Sequence, residues 1–149
     1  MIFIIISSVL FLDQLTKFIA TRQLYLHESV AVIKGVLHLT LVYNRGAAFG
    51  IFKNQILLFI VTSLTAIVFI VLKLHKQHSR KLSCQTVSLC LILGGAVGNL
   101  IDRIFFGYVI DFIDLRVWPV FNVADSAITI GAVLLGISIL KTNKVTKTP

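Results

Sequence analysis

The chain has 149 residues, of which 57% are hydrophobic and only 13% are charged. A soluble domain is about half apolar and about a quarter charged, so this composition excludes an ordinary soluble domain and indicates an integral membrane protein. The formal net charge of +8 could suggest a nucleic-acid partner. However, half of the 14 basic residues lie in two short clusters beside hydrophobic segments. Anionic lipid and membrane topology explain such clusters better than nucleic acid does.

Four hydrophobic segments are long enough, or nearly so, to cross the bilayer as helices, which takes about 20 residues each. They cover residues 1–24, 56–72, 82–101 and 120–140. The first segment lacks a basic start and a small-residue cleavage site, so we interpret it as a retained helix and not as a signal peptide. The four segments and their connections use the whole chain, and we therefore predict a single membrane domain over residues 1–149.

The connection between the first two segments carries the pattern of a strand. Every second residue from Leu37 to Tyr43 is leucine or tyrosine, which is the period of a half-buried strand. Residues 30–33 could pair with it across a tight turn at Lys34-Gly35. The small residues that begin at Gly46 and run to Gly50 would let the backbone approach a ligand closely. We predict a small extracytoplasmic β-cradle at about residues 25–50, lying over four transmembrane helices.

The basic residues predict the orientation of the chain. Residues 73–81 hold four of them within nine positions, and the C-terminal tail holds three lysines. The opposite side holds seven as well, but these are scattered among the acidic residues. Because clusters next to the ends of spans determine topology, we place both termini and the 73–81 loop in the cytoplasm.

All the acidic residues lie on the predicted outer side or at the span ends that face it. They are Asp13, Glu28, Asp102, Asp111, Asp114 and Asp125. Carboxylates at the edge of the hydrocarbon are costly, so each is a functional-site hypothesis by default. A transporter or proton channel would favour acids spread in depth across the membrane. The inner half of every span lacks an acid, which disfavours that alternative.

Spacings of three and four residues place several polar side chains on shared helix faces near the outer ends. These sets are Asp13 with Lys17, Asn99 with Asp102 and Arg103, and Asn122 with Asp125. Opposite charges within a set, including Asp102 with Arg103, could be structural ion pairs of the kind tolerated in membranes. Asp125 could also be an acid placed at a helix N-terminus because the dipole favours it there.

Asp111 differs from these acids because it has no cation at helical spacing and its neighbours are apolar. An unpaired carboxyl group in such surroundings should have a raised pKa. Asp111 and Asp125 therefore form the best candidate acid–base pair, whereas Asp114 is expected to face headgroups and water. A peptidase using Ser126 and Lys17 is a weaker alternative, because adjacent Asp125 would hinder deprotonation of the lysine.

The sequence gives little support for metal or nucleotide chemistry. Cys84 and Cys90 are wrongly spaced for a zinc site or a disulfide framework, and we expect both to be small buried hydrophobes. The histidines form no HExxH motif, and no glycine-rich phosphate loop follows a strand. We therefore expect neither a metal nor an organic cofactor.

Five motifs follow one another along the chain. They are D-Q-x-T-K at Asp13–Lys17, N-x-G-A-A-F at Asn44–Phe49, G-N-x-I-D-R at Gly98–Arg103, V-I-D-F at Val109–Phe112 and F-N-x-A-D at Phe121–Asp125. In this order they resemble the motif set of the lipoprotein signal peptidase (signal peptidase II) family, whose four-helix topology with an outer β-cradle is similar to the one predicted above. The resemblance implies an intramembrane aspartic endopeptidase. Its substrates would be diacylglyceryl-modified bacterial prolipoproteins, cut just before the lipidated cysteine.

The resemblance also implies roles for single residues. Asp111 and Asp125 would form the catalytic dyad. Residues that bind substrate or support the dyad would be Asn44, Gly46, Asn99, Arg103 and Asn122, and structural polar residues would be Asp13, Lys17 and Asp102. It further implies the bacterial cytoplasmic (inner) membrane, an active site at its outer face, contact with membrane lipid, and inhibition by globomycin-type compounds.

Overall fold

The computed structural model describes residues 1–46, 55–76 and 83–145, with side chains described as far as residue 141. Its elements, in chain order, are α1 (Ile2–Gln23), β1 (Ser29–Ile33), β2 (Leu37–Asn44), α2 (Ile56–Lys76), α3 (Cys84–Phe106), β3 (Val109–Asp114) and α4 (Val123–Val145). Within the described residues, these four helices are long and apolar enough to cross a membrane, which confirms the four predicted spans. The small-residue segment at 47–50 and the end of the basic cluster at 77–81 lie outside the described residues.

Helix α3 is the centre of the bundle, since 56% of its membrane-spanning stretch is buried inside the protein, against 6% for α2. Its glycines allow this burial. A β-carbon at Gly94 would lie 2.9 Å from the Cβ of Val9 in α1, and one at Gly95 would collide with the carbonyl oxygen of Ala124 in α4. Small residues let membrane helices pack this closely without a hydrophobic driving force between them. The close packing therefore brings polar side chains of α1 and α4 within hydrogen-bonding distance of α3.

The hairpin predicted on the outer side is present. Strands β1 and β2 pair antiparallel, and Gly35 adopts a φ of +78°, in the left-handed region where glycine has no Cβ penalty. The N–H of Val36 donates to the carbonyl of Ile33 at 3.0 Å and closes the turn.

A third strand, β3, was not expected from the sequence. Residues 103–119 connect the third and fourth predicted spans, and no strand was predicted there, but α3 continues to Phe106 and ends at Gly107, whose φ of 77° reverses the chain. Strand β3 then pairs antiparallel with β2, in the sheet order β1-β2-β3. Nearly every residue of β3 is buried, on both faces of the sheet, so it lacks the alternation of apolar and polar residues that marked β2.

A buried apolar cluster fixes the sheet against the helices. Leu41 of β2 and Ile110 and Phe112 of β3 pack with Ala20 of α1. This contact holds β3 against the C-terminal end of α1. The cysteine expectation is half right, because Cys90 is buried but Cys84 is exposed.

Candidate functional site

One asparagine, Asn122, forms hydrogen bonds with both Asp111 and Asp125. Asp111 lies in the middle of β3, and Asp125 lies in the first turn of α4. The Nδ2 of Asn122 donates to Oδ1 of Asp111 at 2.8 Å, and the Oδ1 of Asn122 accepts from the backbone N–H of Asp125, also at 2.8 Å. The Asn122 side chain is fully buried. A single immobilised amide therefore sets the placement of one acid relative to the other.

The start of α4 explains why these residues lie where they do. Asn122 immediately precedes the helix, and its side-chain oxygen caps the N–H of Asp125 three residues later. Asp125 reaches back to the N–H of Asn122 at 3.4 Å, which completes a reciprocal capping arrangement. Asp125 is thus also the N-terminal helix acid that the sequence offered as an alternative. The two interpretations are compatible in one geometry.

Two further asparagines complete the shell around the acids. The Nδ2 of Asn44 donates to Oδ2 of Asp111 at 2.9 Å, and the Nδ2 of Asn99 donates to Oδ1 of Asp125 at 2.8 Å. The Oδ1 of Asn44 accepts from the N–H of Gly46 at 2.9 Å, so the loop after β2 orients this amide. Each carboxyl oxygen of the pair therefore has an N–H donor directed at it.

The environment of Asp111 favours its neutral form. Burial, and next the negative charge of Asp125, raise the pKa of Asp111 from 3.8 to about 7. The hydrogen bonds from Asn44 and Asn122 and the charge of Lys17 act in the opposite direction but do not cancel the rise. Near neutral pH, Asp111 can therefore carry or release a proton, as acid–base chemistry requires.

Lys17 lies beneath the pair and is only 2% exposed. Its ammonium group contacts Oδ2 of Asp13 at 2.8 Å and Oδ2 of Asp102 at 2.8 Å. It also donates to Oδ1 of Asn99 at 2.9 Å, so all three ammonium protons have an acceptor. Because the Asn99 oxygen faces Lys17, the Asn99 amide nitrogen faces Asp125. The lysine thereby orients a hydrogen bond to the acid pair.

The two aspartates bound to Lys17 also join the elements of the fold. Asp13 accepts from the N–H of Ala124 in α4 at 2.9 Å, and Asp102 accepts from the N–H of Ile110 in β3 at 3.1 Å. The ion pair at Asp102 is with Lys17 of α1, so the expected pairing with Arg103 is wrong. Helical spacing within α3 could not reveal a partner on another helix. Gln14, which sequence reasoning passed over despite its place in the first motif, donates to both carboxylates at 3.1 Å.

Arg103 takes a different position from the one the pairing with Asp102 would give it. Its guanidinium group lies over the ring of Phe59 in α2, 5.2 Å from the centroid, in cation–π geometry. Its NH1 donates to the backbone oxygen of Asn99 at 3.5 Å. Among the described residues no carboxylate forms an ion pair with Arg103, and Arg103 borders the same cavity as Asp111 and Asp125.

A cavity of about 300 Å³ opens onto the pair and is lined by residues from every part of the site. Among the predicted residues it brings together Asn44, Gly46, Arg103, Asp111 and Asp125. Asn99 and Asn122 bond the acids without lining the cavity, and Asp13, Lys17 and Asp102 do not line it either. Sequence reasoning missed Phe59, Trp118 and Thr129 in the lining, since none belongs to a polar cluster or a motif. Two carboxyl groups on one cavity, in different surroundings, suit general acid–base chemistry.

Asp114 does not face headgroups and water as expected. It is 6% exposed and accepts from the hydroxyl of Thr40 in β2 at 2.8 Å and from the N–H of Arg116 at 2.8 Å. Burial alone would raise its pKa, but these bonds and the charge of Arg116 outweigh burial and hold the pKa below its ordinary value. Asp114 was expected to be exposed because its strand had not been predicted.

The described residues contain no group of three or more His, Cys, Asp or Glu side chains arranged to hold a metal ion. The candidate site consists of two acids, the amides and cations around them, and the cavity in front of them.

Comparisons with known proteins match the whole of this architecture. Residues 5–141 match the family described as Signal peptidase (SPase) II. The chain is 47% identical to the lipoprotein signal peptidase of Halothermothrix orenii over 145 residues, covering 97% of this chain and 99% of that protein. It is 50% identical to the lipoprotein signal peptidase of Caldanaerobacter subterraneus over 137 residues, covering 91% of this chain and 93% of that protein.

Solved structures agree with the sequence relatives. A bacterial membrane enzyme solved by the in meso method at 2.3 Å superposes with a TM-score of 0.92 at 34% identity, over 99% of this chain and 92% of that one. A second, solved at 1.9 Å, gives a TM-score of 0.85 at 35% identity, over 94% of this chain and 92% of that one. The protein is thus a multi-pass membrane peptidase, and the chain belongs to the signal peptidase II family.

Proposed function

We propose that this protein is a lipoprotein signal peptidase that acts as an intramembrane aspartic endopeptidase. It removes the signal peptide from diacylglyceryl-modified bacterial prolipoproteins, cutting just before the lipidated cysteine. The observation that carries the proposal is the Asp111–Asp125 pair, two carboxyl groups held by one buried asparagine and opening on one cavity. The pKa of about 7 at Asp111 supplies a carboxyl group that can be neutral while its partner is ionised.

The mechanism follows from sharing one proton between two acids. The ionised carboxylate takes a proton from a water molecule in the cavity as the water oxygen attacks the scissile carbonyl carbon. The protonated carboxyl group donates its proton to the carbonyl oxygen, giving a neutral tetrahedral diol. The carboxylate then takes a proton from one hydroxyl group of the diol as the C–N bond breaks, and the protonated carboxyl group gives its proton to the leaving amine nitrogen. The dyad is left with one proton, as it began, and its two members titrate as a unit.

The surrounding residues support these steps. Asn44, Asn99 and Asn122 hold both carboxyl groups at fixed positions, which places the water and the peptide for reaction. Arg103 lines the same cavity and offers a fork of N–H donors to substrate carbonyl groups. Gly46 allows the chain after β2 to come close to the substrate. Asp13, Lys17 and Asp102 join the outer ends of α1, α3 and α4, and we assign them a structural role.

We further propose that residues 1–149 form one domain in the bacterial cytoplasmic membrane. Both termini are cytoplasmic and the acid pair lies at the outer face. In that position the acyl chains of the substrate can stay in the lipid beside the helices while the peptide enters the cavity. Globomycin-type inhibitors would compete for the same cavity. The mechanism needs no metal or organic cofactor.

The test is cleavage of a diacylated lipopeptide and of its unlipidated form by the purified protein. Asp111→Asn and Asp125→Asn keep the size of the side chain and one of its two acceptor oxygens but remove the titrating group, so each should abolish cleavage. Glu28→Gln is a matched control, because it also neutralises an outer acid, one that bonds only the N–H of Tyr25 among the described contacts. It should cleave like the wild type.

Thermal melting of each variant excludes unfolding as the cause of lost activity. Wild-type cleavage by either the Asp111 or the Asp125 variant would remove the aspartic mechanism. Equal cleavage of the lipidated and unlipidated peptides would remove the assigned substrate class and leave the chemistry standing.

A further inference from the structure

The loop between β3 and α4, residues 115–120, forms one wall of the site. Its base is closed by two hydrogen bonds, from Ile113 N–H to the Phe121 oxygen at 2.8 Å and from Phe121 N–H to the Ile113 oxygen at 3.0 Å. Trp118 of this loop lines the cavity of the acid pair. It also lines an adjoining apolar cavity of about 400 Å³ that reaches Asp125 from the other side. One side chain of the loop thus borders both spaces beside the acids.

Asp114 holds the start of this loop. Its Oδ1 accepts from the backbone N–H of Arg116 at 2.8 Å, and its Oδ2 accepts from the Arg116 guanidinium at 3.2 Å. Arg116 has a φ of +65°, in the left-handed region that a residue with a Cβ occupies only at a steric cost. Two hydrogen bonds to a buried carboxylate offset that cost. The strained turn, and the direction in which the chain leaves it toward Trp118, therefore depend on Asp114.

The same carboxylate is itself held by a chain of hydrogen bonds across the sheet. The Thr40 hydroxyl lies 2.8 Å from Oδ2 of Asp114 and 2.8 Å from the hydroxyl of Ser29 in β1. Threonine has a single hydroxyl proton, and a carboxylate can only accept. The Thr40 proton therefore points to Asp114, and Ser29 donates to Thr40.

His38 ends this chain. Its Nδ1 lies 3.3 Å from the Ser29 hydroxyl, which has already given its proton to Thr40, so Nδ1 carries a proton and donates. The other ring nitrogen, Nε2, is buried without a hydrogen-bond partner among the described residues. A directional series through β1 and β2 thus ends on Asp114 in β3. This series of hydrogen bonds orients the Asp114 carboxylate, and the carboxylate in turn holds the 115–120 loop.

We propose that Asp114 is a positioning residue for the substrate, acting through the 115–120 loop. It holds Trp118 as the wall against which the peptide beside the scissile bond packs. The hydrogen bonds that hold the dyad come from three asparagines, and none of those described involves Asp114 or Arg116. Loss of the Asp114 anchor therefore weakens binding of the substrate and leaves the chemical step intact. The inference rests on the proposed peptidase function.

The first measurement is independent of activity. Trp118 is the one tryptophan of the chain, so intrinsic fluorescence reports on this loop alone. In Asp114→Ala, the released loop should give Trp118 a lower emission anisotropy and stronger quenching by acrylamide than in the wild type. Asp114→Asn keeps an oxygen that accepts from the Arg116 N–H, so its emission should stay close to that of the wild type. Unchanged emission in Asp114→Ala would overturn the anchoring.

The second measurement is steady-state cleavage of the diacylated lipopeptide. Asp114→Ala should raise KM about five- to tenfold with kcat within about twofold, the pattern of lost uniform binding. Asp114→Asn should restore most of the loss. Trp118→Ala should raise KM to a similar extent, and the double variant should be no worse than Trp118→Ala, because both changes remove the same wall.

Several outcomes separate the inference from the proposed function. Changed emission with an unchanged KM, a fall in kcat at constant KM, or additive effects in the double variant would each overturn substrate positioning. If Asp114→Ala does not fold, Arg116→Pro removes the N–H that bonds Asp114 and cannot adopt the positive φ, while leaving Asp114 in place. It should raise KM as well, and an unchanged KM would refute the role of the loop. A folded wild type that leaves the lipopeptide uncut would refute the proposed function instead.

Discussion

Asp111 should make the stability of this protein depend on pH in a direction opposite to that of an aspartate whose pKa is lowered by hydrogen bonds and an ion pair, such as Asp114. Its pKa is raised in the folded protein from 3.8 to about 7. The unfolded chain therefore releases this proton at lower pH than the folded chain does. The stabilisation of the folded protein that comes from keeping Asp111 neutral is fully present below about pH 4. It is lost as the pH rises through about 7.

The size of this effect follows from the same shift. A tenfold change in an acid constant corresponds to about 1.4 kcal/mol, so the rise from 3.8 to about 7 amounts to about 4 kcal/mol of lost stability at high pH. The side chain is 1% exposed, so solvent screening removes little of it. Asp111→Asn cannot ionise and should not show this loss. For a chain of this length, about 4 kcal/mol corresponds to a shift in melting temperature of about 8–16 °C.

The assay is the melting temperature of the wild type and of Asp111→Asn in the same detergent from about pH 3 to pH 8.5, the range that brackets both pKa values. The quantity compared is the difference between the two proteins as a function of pH, so a constant offset from the substitution itself does not matter. Asp111→Asn should gain on the wild type steadily as the pH rises. Asp114→Asn is the matched control, because the pKa of Asp114 is lowered and its contribution is lost at low pH instead. A difference that stays flat across the range would refute the reasoning about Asp111.

Three other outcomes are expected. Lys17→Met should destabilise the protein by about 3–5 kcal/mol, because it leaves buried carboxylates unpaired. Changing both aspartate partners to asparagine as well should recover most of the loss. If Lys17→Met alone is as stable as the wild type, the network around Lys17 does not stabilise the fold. Gly98→Ala should cost about 1–3 kcal/mol, since its Cβ would lie 2.6 Å from Oδ2 of Asp13, whereas Gly136→Ala has open space and should melt like the wild type. Reporters inserted near residue 77 and fused after residue 147 should both give cytoplasmic signals, and an external signal at either would reverse the orientation.

The sequence by itself determined the parts of the protein that depend on local pattern. Hydrophobic length gave the four spans, and the alternation from Leu37 with the turn at Gly35 gave the hairpin. The acids fall at one level because span boundaries fix depth in a membrane. The motifs around Asn44, Asn99 and Asn122 predicted the family, since each is a short run whose residues stay together in any fold.

The contacts between distant segments could be decided only by the tertiary structure. Adjacency in sequence suggested Arg103 as the partner of Asp102, but close packing at the α3 glycines brings Lys17 within 2.8 Å instead. Strand β3 is buried on both faces, so it carried no period that could predict it. With that strand unrecognised, Asp114 was expected in water, whereas pairing with β2 places it beside Thr40. A residue's own neighbours in sequence cannot report which surface will cover it, and for the buried polar groups of this protein the covering surface comes from another helix or strand.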